Sequence, residues 1–84
     1  MMNSTAPGGK PADQMRPGQA GIIARFEDMV IAGKLMAMGV LPEARIELVS
    51  RNALGYTLIY RVNGRFKIAL RKDEARTILI ALEA

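Results

Sequence analysis

An Asn63-Gly64 pair divides two runs of alternating residues, and this constrains the fold more than anything else in the chain. Before it, Tyr56, Leu58, Tyr60 and Val62 alternate with Thr57, Ile59 and Arg61. After it, Phe66, Ile68 and Leu70 alternate with Arg65, Lys67 and Arg71. Period two is the signature of a strand with one buried face. Asn-Gly between two such runs marks a type I′ turn, whose central residues both need φ > 0. The pattern predicts a hairpin with an apolar face and a basic face.

The remaining elements follow from local signals. Arg16-Pro17-Gly18 reads as a turn, and Ala20–Phe26 as a strand that offers Ile22, Ile23 and Phe26 for burial. Asp28 is placed to cap a helix running from Met29 to Met38, which Gly39 ends. Ile31, Leu35 and Met38 form its core stripe. Met29 and Met36, seven residues apart, form a second stripe that suits an adaptable contact surface, since the methionine side chain is flexible and polarizable. Pro42-Glu43 predicts a type I turn with negative φ at Glu43. Arg45–Arg51 predicts a strand with Ile46 and Leu48 on one face. Arg51–Gly55 reads as a loop, Asp73–Arg76 as one helical turn, and Thr77–Ile80 as a closing strand.

Five short strands in 84 residues cannot all keep open edges, and partial closure around one core solves the problem. The predicted fold is mainly β: a small SH3-like barrel of about five strands, with one short α-helix inserted after the first strand and a short helical turn before the last. Residues 1–17, rich in Gly and Pro, read as a disordered leader and residues 18–84 as the barrel domain.

Composition narrows the chemistry. The chain has no Cys and no His, which removes disulfides and the usual ligands of transition metals. No acid–base constellation or phosphate-cradling loop is present, so no catalytic residue, cofactor or metal site is expected. Asp73 and Glu74 are adjacent acids on a turn, and such neighbours more often cap or face water than chelate. No apolar run is long enough to span a bilayer and the start has no signal-peptide core, which favours the cytoplasm and no membrane insertion. Net charge is +4, with the basic residues concentrated between Arg45 and Arg76. Such a face is either the solvated side of a sheet or a surface for an acidic partner or nucleic acid.

Three segments then resemble one family. Lys34-Leu-Met-Ala-Met-Gly-Val-Leu-Pro-Glu-Ala is similar to the basic-Leu-x-x-Leu-Gly-x-x-Pro-Gly-x stretch of the FeoA family. Ala53-Leu-Gly-Tyr-Thr resembles its Pro-Leu-Gly-Asp-Pro loop, and Ala69-Leu-Arg-Lys-Asp-Glu-Ala its x-Leu-Arg-x-x-x-Ala segment. Three departures stand out: Glu43 where the family has Gly, Tyr56-Thr57 where it has Asp-Pro, and a hairpin one residue longer than the family's, at Asn63–Arg65. The resemblance implies an SH3-like accessory of bacterial ferrous iron uptake that binds the cytosolic part of the GTPase-bearing transporter FeoB. On this chain the contact residues expected are Met29, Met36, Leu54 and Tyr56, the last two in a loop with exposed apolar groups. A homo-oligomer is equally open to apolar faces and sheet edges. The competing reading is a regulatory or nucleic-acid-binding module similar to the C-terminal SH3-like domain of metal-dependent repressors, with Tyr56 and Tyr60 available for stacking. No helix-turn-helix pattern accompanies it, so nucleic acid is not the expected partner.

Overall fold

The computed structural model describes residues 9–83. Six strands form one antiparallel sheet: β1 (Lys10–Pro11), β2 (Ala20–Phe26), β3 (Arg45–Arg51), β4 (Thr57–Val62), β5 (Phe66–Arg71) and β6 (Ile78–Leu82), in the spatial order β1-β6-β2-β3-β4-β5. Helix α1 (Met29–Ala37) connects β2 to β3, the four-residue α2 (Lys72–Ala75) connects β5 to β6, and a 3₁₀ turn (Ala12–Gln14) follows β1.

The hairpin forms as its sequence dictates. Asn63 and Gly64 have φ of 52° and 67°, and the Arg65 N–H donates to the Val62 carbonyl at 2.9 Å. The ladder restarts with Val62 opposite Phe66, which leaves Arg65 as the extra residue. Asn63 also secures the next strand: its N–H donates to the Arg45 carbonyl at 2.7 Å, and its Oδ1 accepts from the Arg45 N–H at 3.0 Å.

Two bulges bend the sheet, between Ile23 and Arg25 in β2 and between Leu48 and Ser50 in β3. An extra residue on one strand sharpens local twist, the device by which a small sheet curls over its own core. That core joins Ile23, Leu35, Ile46, Leu48, Leu58, Tyr60, Val62, Leu70, Ile78 and Ile80 with Ala12 and Met15 from the N-terminal turn. The outer strands β1 and β5 are not hydrogen-bonded to each other. Instead α2 packs against both β5 and the 3₁₀ turn, closing the gap between them.

Several expectations require correction. The leader expected over residues 1–17 does not describe residues 10–17, which are part of the fold; residues 1–8 lie outside the described residues. Lys10 and Pro11 pair with Ile80 and Leu79, a strand beyond the five expected, so the strands among the described residues number six. Met15 and Ala12 are fully buried, and the Arg51 guanidinium donates to the carbonyls of Asp13 and Met15. Two apolar side chains among Pro, Gly and polar neighbours are enough to anchor this short segment, though they make no periodic pattern.

At the Pro42-Glu43 turn the Ala44 N–H donates to the Leu41 carbonyl at 3.1 Å, and Glu43 has φ of 72°. The turn is therefore type II and not type I. The Glu43 N–H donates to the Ile23 carbonyl at 2.9 Å, a bond that holds the left-handed conformation despite its steric cost.

In α1 the Asp28 carboxylate accepts from the Val30 and Ile31 N–H groups at 2.9 and 3.0 Å, and Gly39 has φ of 93°, as capping chemistry requires. The buried residues are Ala32 and Leu35, however, while Met38 is exposed; the helix ends before Met38 can follow the core stripe. Phe66 and Ile22, expected inside, are also partly exposed, whereas Leu70 is buried. Phe66 opens the edge strand and lies beside Gly39, whose missing Cβ would stand 3.6 Å from its ring.

Candidate functional site

The loop between β3 and β4 is built around Asn52. Its Oδ1 accepts from the Tyr56 N–H at 2.9 Å and the Thr57 N–H at 3.3 Å. Its N–H donates to the Thr57 carbonyl and its carbonyl accepts from the Gly55 N–H, at 3.0 and 2.9 Å. One residue thus satisfies much of the loop's backbone, through its side chain and its own peptide groups. Leu54 is 75% exposed and Tyr56 67%. The period-two pattern, which begins at Tyr56, becomes a strand only at Thr57.

On α1, Met29 is 81% exposed and Met36 40%, with Val30 alongside at 82%. All four residues expected to contact a partner are therefore accessible. No hydrogen bond or ion pair joins α1 to the β3–β4 loop among the described residues. Both are bonded instead to α2, which stands between them: the Lys72 N–H donates to the Tyr56 carbonyl at 3.0 Å, and Lys34 Nζ donates to Glu74 Oε2 at 2.7 Å. The other oxygen of Glu74 accepts from the Arg71 N–H at 2.9 Å. The Lys34 ammonium and then the Arg71 N–H hold the Glu74 carboxyl below the usual carboxylate range.

This arrangement commits Glu74 to structure. Among the described residues, no three Asp, Glu, Cys or His side chains gather as a metal site would require. No helix among them is long and apolar enough to cross a membrane.

Tyr60 is not a stacking platform. Its ring is buried, and its hydroxyl donates to the Ala12 carbonyl at 2.7 Å. Burial, reinforced by the Asp13 carboxylate and opposed by Arg51, pushes its phenol well above the usual tyrosine range.

A pocket of about 440 Å³ at the end of β5 was not expected from the sequence. It is lined by Tyr56, Thr57, Arg71, Lys72, Asp73 and Arg76. Its sequence signal was the basic run Arg71-Lys72 with Arg76 one helical turn on, which period two alone assigns to a solvated face.

A curled antiparallel sheet with a helix after its first long strand and a short helical turn before its last is a small SH3-like domain. The FeoA domain model matches residues 10–82, nearly the whole chain, and the protein belongs to the FeoA family. No curated protein sequence matches it. Among solved structures, it is similar to iron(II) transport protein A from Clostridium thermocellum at 32% identity and a TM-score of 0.75, over 83% of this chain and 43% of that one. It is similar to a FeoA-like protein from Clostridium acetobutylicum at 20% identity and a TM-score of 0.82, over 92% and 90%. A manganese-dependent transcriptional repressor shares the fold, with a TM-score of 0.83 at 16% identity, over 93% of this chain and 38% of the repressor.

Proposed function

We propose that this protein is a cytosolic accessory of bacterial ferrous iron uptake that binds the cytosolic portion of a FeoB-type transporter and adjusts its activity by contact. Membership of the FeoA family supports the setting. The observation that carries the mode of action is the exposure of four large apolar side chains on two elements fixed by capping and by Asn52: Met29, Met36, Leu54 and Tyr56. Exposed apolar residues on rigid supports lose little entropy when a partner covers them, so their burial translates efficiently into affinity.

In this reading the helix face and the loop flank α2, and a partner spanning both covers the helical turn. Iron is the transporter's cargo and needs no ligand from this chain. The test is binding of the Met36→Glu and Leu54→Asp variants to the transporter's cytosolic domain by calorimetry. Each is expected to weaken binding at least about tenfold, the scale of burying one unpaired charge in an apolar contact. Folded variants with the parent's affinity refute the surface.

A further inference from the structure

The pocket at the junction of β5 and α2 gathers positive charge in a concave wall. Its wall carries Arg71, Lys72 and Arg76 against a single acid, Asp73. Four cations elsewhere are paired, Arg25 with Glu27, Lys34 with Glu74, Arg45 with Glu83 and Arg61 with Glu47, and the described cations outside the pocket that take part in no ion pair do not line a concavity with one another. Among the described residues none of Arg71, Lys72 and Arg76 takes part in an ion pair. Unpaired cations in a concave wall focus positive potential into the concavity and raise the local concentration of anions.

The kind of anion follows from the rest of the lining. Asp73 leaves the wall with a formal excess of two positive charges, which matches one or two carboxylates and is too small to neutralise a densely charged polyphosphate. Tyr56 forms one side with its ring largely in water, and Leu54, two residues away, is more exposed still. A ligand that sets carboxylates on guanidinium groups and an apolar side chain on Tyr56 would use both the charged and the apolar parts of the site, with the arginine fork donating to a carboxylate in two-point geometry.

We infer that this pocket receives acidic side chains from an extended segment of a protein partner, with the carboxylates at Arg71 and Arg76 and an adjacent aliphatic residue against Tyr56. The inference rests on the docking reading above for the partner's identity, and it supplies the chemistry of the segment that the loop side of that surface recognises.

The test is a ¹⁵N chemical-shift titration of the full chain with the blocked hexapeptide Glu-Leu-Glu-Glu-Leu-Glu, beside inorganic phosphate and the same peptide with Lys for Glu. The acidic peptide is expected to shift the amides of Tyr56, Arg71, Lys72 and Arg76. Its affinity should fall about fivefold or more in an Arg71→Gln/Arg76→Gln variant and about tenfold when salt rises from roughly 50 to 500 mM. Arg76→Gln alone should show a smaller loss and serves if the double variant does not fold. Three results overturn the inference: shifts scattered over other basic residues, an affinity indifferent to the substitutions, or phosphate saturating the same amides at lower concentration than the peptide. No transporter is present in the titration, so its failure leaves the Leu54→Asp test standing, and failure of that test leaves the titration's outcome intact.

Discussion

Tyr60 Oη donates to the carbonyl oxygen of Ala12 at 2.7 Å, tying the middle of the sheet to a turn 48 residues earlier in the chain. The ring is buried beneath that turn, and the Arg51 guanidinium clamps the next carbonyls. Residues 12–15 are therefore a wall of the core. Tyr60→Phe keeps the ring and removes one of the two hydrogen bonds to the Ala12 carbonyl, which still accepts from the Met15 N–H at 3.1 Å, a loss of about 0.5–1.5 kcal/mol. Urea unfolding should show a lower midpoint with an unchanged slope.

Glu43 occupies a left-handed position, which costs an L-residue about 1–2 kcal/mol. Glycine relieves that strain but gives back part of the gain through its more flexible unfolded chain. Glu43→Gly should therefore stabilise the fold by up to about 1 kcal/mol, and Glu43→Ala should not. Thermal melts of the two variants distinguish strain from a lost side-chain contact.

Gly33 and Gly21 should respond to alanine in opposite directions. At Gly33, within α1, a Cβ would meet nothing within 4 Å, so Gly33→Ala should stabilise by about 0.5–1 kcal/mol through helix propensity. At Gly21 a Cβ would stand 2.6 Å from the carbonyl oxygen of Ala81. Gly21→Ala should force β2 and β6 apart and cost about 1–3 kcal/mol. Denaturant midpoints of both variants read the two signs.

Glu74 sets an acid limit. Its carboxyl titrates lower in the folded chain than in the unfolded one, because Lys34 and the Arg71 N–H favour the ionised form. The stability it contributes is present above the unfolded value, near 4.5, and is lost as pH falls through the folded value. Glu74→Gln should lower stability at neutral pH and flatten its decline below about pH 4.5. Unfolding midpoints between about pH 7 and pH 3 would show both effects.

Most strands were legible because their burial is one-sided. Ala20–Phe26 and Arg45–Arg51 stand where alternation and turn residues put them, and Asn63-Gly64 fixed the hairpin. What sequence did not reveal depends on contacts distant along the chain. Two residues of β1 are too few for any period, and Met15 is buried in a core whose other members come from far along the chain. Glu43 took positive φ because the Ile23 carbonyl offers its N–H a partner, a tertiary contact that outweighs local preference. Of the proposed partner surface, the accessibility of Leu54 and Tyr56 was readable from Gly55 and the loop's composition. The pocket beside them was not, since it exists only where α2 and the β3–β4 loop meet.

The position of β6 has a consequence for biosynthesis. Residues 78–82 slot between two strands from the beginning of the domain, while the β3–β4–β5 meander pairs only neighbours in sequence. A ribosome can release that meander early, yet the segments at 10–11 and 20–26 must wait with unpaired edges until the last strand emerges. Nascent-chain protease resistance should therefore arrive in a single late step, and the interval before it is when this small protein is most exposed to misassociation.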